Sequence, residues 1–236
     1  MTTAQQKLPS PNTGKNLSIS VDEEKYARYP IKTPIIKSGD DLLKLINDLI
    51  VPFVSDGDML FISEKIVAIS QGRAFPIKDI KPTLAAKFLA KFVLKTPYGI
   101  GIGSPWTMQL ALDEVGYFRI LLGIIASALT KPFGVRGMFY RVCGSAVSAI
   151  DGPCDYTLPP YNKYAKLAPK NPDKVARDLK EKLGLEVVII DANDLGVAVL
   201  GKSSKTVSDE FAKAVFKDNP LGQTNEQTPL CIVRKQ

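Results

Sequence analysis

The chain has 236 residues, 45% of them hydrophobic and 23% charged, which are the proportions of an ordinary globular protein. It contains no histidine, and this excludes histidine general bases, histidine-containing triads and histidine metal sites. Three widely spaced cysteines indicate neither a disulfide framework nor a zinc cluster and suit the reducing cytoplasm, while the net charge of +7 favours anionic partners such as nucleotides and phosphates.

The beginning of the chain predicts a flexible extension over residues 1–28, because its first part is polar and shows no periodicity. No signal peptide is indicated there. We expect residues 29–236 to form a single domain. Its first helix follows Asp41, its first buried strand covers residues 59–63, and residues 81–95 form a helix whose apolar face carries Leu84, Phe88, Leu89 and Phe92.

The middle of the chain contains a strong helix start at Ser104 and Pro105, an N-cap serine followed by proline at the first helical position. The glycine-rich residues 99–103 before it are interpreted as a turn, since they follow no strong strand and carry no lysine. Residues 120–129 are very apolar but shorter than the roughly 20 residues of a membrane span. We therefore predict a buried core helix there and no membrane partner.

The remaining pattern mixes strands and helices without strict alternation, which favours an α+β fold with a mixed or antiparallel sheet over a doubly wound one. Residues 139–150 are predicted to form a strand, and residues 171–183 a helix that ends at Gly184. Further strands are expected at residues 186–190, 197–200 and 230–233, and a last helix at residues 208–216.

Two of the predicted strands end in a carboxylate, Asp151 and Asp191, and the second is followed by Asn193 and Asp194. Carboxylate and amide oxygens are ligands that Mg²⁺ and Mn²⁺ prefer, often together with water and substrate phosphates. The alternative is that these aspartates merely end their strands or cap a turn. The pattern alone does not decide between the two interpretations.

Four stretches, in this order, carry a family resemblance: residues 33–42, residues 57–73, the Ala-Ile-Asp-Gly sequence of residues 149–152 with Leu-Pro-Pro at 158–160, and the Val-Ile-Ile-Asp-Ala-Asn sequence of residues 188–193. A weaker match runs from residue 222 to residue 234. In these motifs and their spacing the chain resembles the γ-glutamyl ligases that add L-glutamate to the precursor of the deazaflavin coenzyme F420.

The resemblance implies a γ-glutamyl ligase-like fold, a homodimer, GTP as co-substrate with ATP possible, Mg²⁺ or Mn²⁺, and a small carboxylate acceptor for L-glutamate. It implies an acyl phosphate as the intermediate of amide formation. Asp151, Asp191, Asn193 and Asp194 are then the expected metal ligands, and Arg73 and Arg141 are candidate contacts for phosphate or carboxylate groups. The expected nucleotide-binding residues are Thr33, Pro34, Ile35, Ile36, Glu64, Lys65, Gly222, Gln223, Thr224 and Asn225.

Several positions depart from the family pattern. Ile69 and Gln71 stand where the family has a lysine and a glutamate, Cys154 where it has an asparagine, and Ala192 where it has a threonine. A non-catalytic relative that binds a nucleotide or anionic metabolite therefore stays open, as does a folate-type polyglutamylating ligase. A nucleic-acid partner is not expected, because the lysines are dispersed without aromatic interleaving.

Overall fold

The structure is a computed structural model that describes residues 7–93, 101–135, 137–155, 157–193, 196–222 and 224–236. These residues form two compact units: unit 1 lies within Met1–Gln71 and Lys170–Gln236, and unit 2 within Gly72–Pro169. Each unit has a hydrophobic core of its own, so the single domain expected over residues 29–236 is divided. Among the described residues, no helix has the length and apolar character needed to cross a membrane.

Unit 1 is an α+β structure, as predicted, with one six-stranded mixed sheet. Its strands are β1 (Ser18–Val21), β2 (Glu24–Ile31), β3 (Met59–Ser63), β6 (Glu186–Asn193), β7 (Gly196–Lys202) and β8 (Leu230–Lys235). Its helices are α1 (Leu42–Ile50), α2 (Glu64–Ser70), α7 (Pro172–Leu183) and α8 (Asp209–Val215). The strand order is β1-β2-β8-β3-β6-β7; β3 and β6 are parallel, and the other neighbouring pairs are antiparallel.

The sheet of unit 1 is buried on both faces, which explains the nearly continuous apolar runs of its central strands. On one face Phe61 stacks on Phe216, which directly follows α8, with ring centroids 4.5 Å apart. Side chains that alternate with these, such as Leu60 and Val187, point to the other face and are fully buried. Helices α1, α2 and α7 lie on that side of the sheet.

Residues 7–28, the described part of the extension expected over residues 1–28, contain β1 and the start of β2. Strands β1 and β2 form a hairpin whose two turn residues, Asp22 and Glu23, both have positive φ (49° and 67°). Two-residue hairpin turns commonly have this conformation, because it matches the right-handed twist of the flanking strands. Strand β2 then pairs with β8, so that Ile31 lies opposite Leu230. A partner about 200 residues away leaves no local trace in the sequence, and this is why the pattern missed the pairing.

Unit 2 is mainly helical. Its elements are β4 (Ala74–Pro76), α3 (Leu84–Leu89), α4 (Pro105–Thr130), α5 (Met138–Cys143), α6 (Ser145–Ser148) and β5 (Tyr164–Lys166). Strand β4 pairs with β5 in a small antiparallel sheet. Helix α4 begins where Ser104 and Pro105 predicted it, and Ser104 and Thr107 form a capping box. Gly116, with φ 80° and ψ 158°, interrupts the helix near its middle.

Three predictions for unit 2 are corrected. The strand predicted over residues 139–150 is wrong: α5 and α6 occupy this range, and the buried residues Cys143, Val147 and Ile150 recur with helical spacing. Of the predicted apolar face, Leu84, Phe88 and Phe92 are exposed, whereas Leu89 packs against the core and the small side chains of Ala86 and Ala90 are buried. The helix over residues 120–129 is only partly a core helix, because its outer side faces solvent.

Candidate nucleotide and metal site

The candidate site of unit 1 lies at one edge of its sheet, the edge where the parallel strands β3 and β6 end. We call this the carboxyl edge. Ser63, the last residue of β3, lies beside Ile190 of β6 in the register of the sheet. Glu64 and Lys65, which begin α2, and Asp191 of β6 therefore follow at the same edge. Glu64 is buried and Lys65 is half-buried.

The segment after β2 and the loop before β8 reach the same edge. The backbone N–H of Thr33 donates to the carbonyl of Gln227 at 2.9 Å, and that of Ser63 donates to the carbonyl of Pro229 at 2.8 Å. Thr33 and Ile36 are buried, whereas Pro34 and Ile35 are exposed. Three segments far apart in sequence, each named as nucleotide-binding by the resemblance, are therefore adjacent in the fold.

The loop between residues 220 and 228 is held by a buried threonine. The hydroxyl oxygen of Thr228 accepts from the backbone N–H of Gly222 at 2.9 Å and from the side-chain amide of Asn12 at 2.7 Å. Gly222 also allows a close approach, since a Cβ there would lie 2.4 Å from the Cβ of Glu226. Thr224 and Asn225 are exposed at the tip of the loop. Gln223 lies outside the described residues.

Asn12 and Thr228 are residues that sequence reasoning missed. The amide of Asn12 also donates to the carbonyl of Pro220 at 2.8 Å, so one side chain fixes both ends of the loop. It lies in the segment predicted to be a flexible extension. A single polar residue in a polar segment carries no signal that could have identified it.

The end of β6 presents two oxygen ligands on one face. Asp191 and Asn193 are two residues apart in an extended strand, so their side chains leave the strand on the same side. Asp191 is half-buried and Asn193 is exposed. Ala192 between them is buried in the core on the opposite face, where its carbonyl accepts from the side chain of Asn219 at 3.0 Å. Asp194 lies outside the described residues.

Asp151 belongs to unit 2, where a buried lysine lies beside its carboxylate. Asp151 and Lys166 form a backbone bridge with hydrogen bonds of 3.0 and 2.9 Å in the two directions. The ammonium of Lys166 lies 3.6 Å from a carboxylate oxygen of Asp151 and 3.3 Å from the carbonyl of Ala149. Lys166 is 4% exposed. Sequence reasoning missed this cation, which lies in a loop that the pattern did not divide into elements.

No group of three or more acidic, histidine or cysteine side chains is arranged to hold a metal within the described ranges. Asp151 and Asp191 belong to different units, and the prediction that they share one cation stays a prediction. Asp191 and Asn193 supply one carboxylate and one amide at the carboxyl edge, where the buried carboxyl group of Glu64 also lies.

The two candidate arginines differ in their surroundings. Arg73 is buried; its guanidinium donates to the carbonyl of Ala168 and, at 2.7 Å, to a carboxylate oxygen of Glu114. Because these bonds hold the Arg73 guanidinium against other residues of unit 2, they favour a structural role over a phosphate contact. Arg141 is exposed on α5.

Two departures from the family pattern have a structural explanation. Ile69 is buried on α2, where an apolar side chain suits the core better than a lysine. The amide of Gln71 donates to the carbonyl of Lys170 at 2.9 Å, and its oxygen accepts from the backbone N–H of Lys170 at 2.7 Å. A glutamate could accept the second bond but could not donate the first.

Comparison with known proteins supports the resemblance. A family model described as F420-0:gamma-glutamyl ligase matches residues 30–195. An uncharacterized protein of Methanocaldococcus jannaschii is 28% identical over 176 residues, which are 70% of this chain and 56% of that protein. The coenzyme F420:L-glutamate ligase of Methanopyrus kandleri is 26% identical over 165 residues, or 68% of this chain and 56% of that enzyme.

These matches cover only part of the relatives and only part of the candidate site. The chain matches little more than half the length of either curated relative. The family match includes Thr33, Glu64, Asp151, Asp191 and Asn193 but ends before the loop that begins at Pro220.

Proposed function

Because the chain belongs to the F420-0:gamma-glutamyl ligase family, we propose that it joins L-glutamate or a similar amine to the carboxylate of a small acceptor of the deazaflavin type. The reaction uses GTP, or ATP in its place, and a divalent cation. A homodimer is part of the same proposal, and the solution mass of the protein tests it.

The observation that supports this proposal most is the convergence at the carboxyl edge of unit 1. The segment at Thr33, the start of α2 and the loop ending at Thr228 are joined there by backbone hydrogen bonds or shared strand register. Asp191 and Asn193 lie at the same edge. Open sheets commonly bind ligands beyond the carboxyl ends of parallel strands.

The proposed chemistry proceeds in two balanced steps. An oxygen of the acceptor carboxylate attacks the γ-phosphorus of the nucleotide, the bond to the β-phosphate oxygen breaks, and an acyl phosphate and a nucleoside diphosphate form. The amine of glutamate, after losing a proton, then attacks the acyl carbon; its nitrogen gives up a second proton to the departing phosphate, which leaves with the electron pair of the C–O bond. Neither step requires histidine, which the chain lacks.

The side chains at the carboxyl edge suit particular tasks in this reaction. Lys65 brings a cation to the start of α2, where it can attract phosphate oxygens. Exposed Pro34 and Ile35 offer an apolar surface for a nucleotide base. The hydroxyl of Thr224 and the amide of Asn225 are exposed polar groups that can orient the nucleotide.

The donor set at the end of β6 fits a hard divalent cation. One carboxylate and one amide oxygen are few ligands, yet Mg²⁺ is commonly bound by one or two carboxylates together with substrate phosphates and water. Asp191 and Asn193 would hold the ion at this edge. When bound, such an ion offsets the negative charge of the phosphate oxygens. Asp151 fits less readily, because the ammonium of Lys166 already lies beside its carboxylate.

The ion pair of Asp151 with Lys166 favours a second candidate function, that of a non-catalytic relative that binds a nucleotide or an anionic metabolite. Lys166 supplies a positive charge where the resemblance implies a metal ion. Ile69 also provides no cation for a phosphate. A protein that only binds the nucleotide needs the nucleotide site but not the cation that assists phosphoryl transfer.

The first experiment measures thermal stability with GTP or ATP, with and without Mn²⁺, for the wild type and for Asp191→Ala. Ligand well above its dissociation constant adds about 2–4 kcal/mol to the free energy of unfolding. We expect a metal-dependent shift with the wild type that Asp191→Ala reduces. Asp178→Ala, which removes an exposed carboxylate on α7, is the matched control and should behave as the wild type.

Phosphate release separates the ligase from the binder. On addition of L-glutamate and a panel of deazaflavin and folate acceptors, a ligase releases phosphate only when both substrates are present. A binder gives the thermal shift without phosphate release. Absence of a metal-dependent shift with either nucleotide would contradict the ligase proposal.

A further inference from the structure

The segment that precedes β1 contacts both ends of the loop between residues 220 and 228. Asn12 is half-buried, and its side-chain nitrogen donates to the carbonyl of Pro220 at 2.8 Å and to the hydroxyl oxygen of Thr228 at 2.7 Å. A backbone carbonyl only accepts, so the amide must present its two N–H groups to the loop and not its oxygen. One side chain therefore uses both of its donors to join the start of the loop to its end.

The segment that carries Asn12 is itself anchored. The guanidinium of Arg28 donates to the carbonyl of Asn16 at 2.8 Å. The ammonium of Lys15 donates to the carbonyl of Asp218 at 3.1 Å, just before the loop begins. The segment is thus attached both to β2 and to the start of the loop, and Asn12 reaches the loop from a fixed position.

The bonds that close the base of the loop meet at Thr228, which is 6% exposed. Its hydroxyl oxygen accepts from Asn12 and, at 2.9 Å, from the backbone N–H of Gly222. Its own backbone N–H donates to the carbonyl of Gly222 at 3.1 Å. Because Thr228 is shielded from water, a donor that is lost at its hydroxyl is not readily replaced by solvent.

The loop that Asn12 holds is also joined to the candidate site of unit 1. Near its start, the side chain of Asn219 donates to the carbonyl of Ala192 at 3.0 Å, in the part of β6 that supplies the proposed metal ligands. Near its end, the carbonyl of Gln227 accepts from the backbone N–H of Thr33 at 2.9 Å. The exposed polar groups at the tip of the loop are those proposed to orient the nucleotide. The conformation of the loop therefore decides where these groups meet the nucleotide.

The contact between Asn12 and the loop lies outside the part of the chain that the family model matches. That match covers residues 30–195, so it includes neither the segment before β1 nor the loop. The resemblance therefore does not supply a role for this contact, and the structure has to.

We propose that Asn12 is a positioning residue for the nucleotide, which holds the loop in the conformation that presents Thr224 and Asn225 to a nucleoside triphosphate. This inference rests on the proposed function, because it needs the nucleotide site at the carboxyl edge. Asn12 acts through Pro220 and Thr228 and not by contact with the nucleotide. A loop that is ordered before binding loses less conformational entropy when the ligand arrives, and this raises the affinity.

The test compares Asn12→Asp with the matched control Asn16→Asp in the full-length protein. Aspartate has nearly the shape of asparagine but no N–H donor, so Asn12→Asp removes both bonds to the loop. Asn16 lies in the same segment, but its side chain is exposed, and the substitution leaves its carbonyl available to Arg28. Circular dichroism shows that each variant is folded.

Two measurements are made on each protein. Hydrogen exchange without nucleotide reports the order of the loop, and the backbone N–H groups of Gly222 and Thr228 should exchange about tenfold faster in Asn12→Asp, because two hydrogen bonds no longer hold the loop. Calorimetric titration with GTP in the presence of Mn²⁺ reports affinity, and the Kd of Asn12→Asp should rise at least about fivefold. Asn16→Asp should match the wild type in both measurements.

Substitutions of Thr228 test the same bond from its acceptor side. Thr228→Val keeps the shape of the side chain but removes the acceptor, and it should weaken GTP binding as Asn12→Asp does. Thr228→Ser keeps the hydroxyl and should bind GTP within about twofold of the wild type. Because Thr228→Val and Asn12→Asp remove the same bond, their combined effect on the Kd should be smaller than the product of the two single effects.

Three results would overturn the role of Asn12 while leaving the proposed function intact. The first is a wild type that binds GTP and an Asn12→Asp variant that binds it equally well. The second is weaker binding by Asn12→Asp with unchanged exchange at Gly222 and Thr228, since the effect would then not pass through the loop. The third is an equal loss of affinity in Asn16→Asp, which would assign the effect to charge. A wild type that binds neither GTP nor ATP would instead overturn the proposed function and, with it, this role.

Discussion

Replacing Asp218 by asparagine should destabilise unit 1, because Asp218 neutralises a fully buried arginine. Arg28 has no exposed surface, and its guanidinium donates to both carboxylate oxygens of Asp218. It also donates to the carbonyl oxygens of Val215 at 2.9 Å and Asn16 at 2.8 Å. The pair thus ties β2 to the end of α8 and to the segment that leads into the loop at the carboxyl edge.

The expected loss in the free energy of unfolding depends on how exposed Arg28 and Asp218 are. Removing one partner of a buried ion pair costs about 3–5 kcal/mol. Because 35% of the Asp218 side chain is exposed, solvent screens part of the interaction, and asparagine keeps one acceptor while the two carbonyl bonds remain. We therefore expect Asp218→Asn to lower the free energy of unfolding by about 2 kcal/mol.

The pH dependence of this difference has a definite sign. Hydrogen bonds from Arg28 hold the pKa of the Asp218 carboxyl below its ordinary value. A group with a lowered pKa in the folded state contributes its full stability above its unfolded pKa of about 4 and loses it as the pH falls through the folded pKa. The difference between the wild type and Asp218→Asn should be constant near neutral pH and should shrink below about pH 4.

Urea denaturation followed by circular dichroism measures both effects. The control is Asp178→Asn, which removes one partner of an exposed pair with Lys174 on α7, and it should change stability by less than about 0.5 kcal/mol. If Asp218→Asn were no more destabilising than this control, or if its effect grew as the pH fell, the assigned role of the pair would be wrong.

Three further predictions concern local contacts. Gln71→Glu should lower the free energy of unfolding by about 1 kcal/mol, because it loses the donor to the Lys170 carbonyl and places a carboxylate against it; urea denaturation measures this. Gly201→Ala should cost about 2 kcal/mol or more, since its Cβ would lie 2.5 Å from a backbone carbon of Pro172; thermal unfolding measures this. Native thiol labelling should modify Cys154 first, because the other two cysteines are buried with pKa values raised by that burial.

A control variant accompanies each of the two substitutions, and a comparison of two thiols checks the labelling. Gln71→Met removes both side-chain bonds without adding a charge, so it should be no more destabilising than Gln71→Glu. Gly123→Ala meets only side chains, the nearest at 2.7 Å, and should cost less than Gly201→Ala. Labelling of Cys231 as fast as Cys154 in the folded protein would contradict the burial of that thiol.

Local signals in the sequence were sufficient for several elements. Ser104 and Pro105 mark the start of α4, and Gly184, in the left-handed conformation, ends α7. The β-branched run that ends at Asp191 is a strand, as predicted. In each case the cause lies within a few residues of the effect, and so the pattern contained it.

The features that the pattern missed depend on distant partners. Strand β2 is held by β8, and Asn12 by the loop that ends at Thr228. The ammonium that lies beside Asp151 comes from Lys166, across a bridge that no local spacing indicates. The apolar run of α5 and α6 suits either a strand or helices, and distant packing of Cys143, Val147 and Ile150 decides for helices.

The same contrast applies to the candidate site. The resemblance named residues in three segments of unit 1, and backbone hydrogen bonds and strand register bring Thr33, the start of α2 and the loop before β8 to the carboxyl edge. The resemblance did not indicate that Lys166 lies beside Asp151. The sharing of one cation by Asp151 and Asp191 stays a prediction.

Binding of Mn²⁺, followed by the electron paramagnetic resonance signal of the free ion, tests the central claim most directly. Titrations with and without GTP compare the wild type with Asp191→Asn and with the control Asp178→Asn. The account predicts that the wild type and the control bind Mn²⁺ more tightly with GTP and that Asp191→Asn binds it at least about tenfold more weakly, as expected when a metal ligand loses its charge. Equal affinity in the wild type and Asp191→Asn would show that the carboxyl edge of unit 1 is not the metal site.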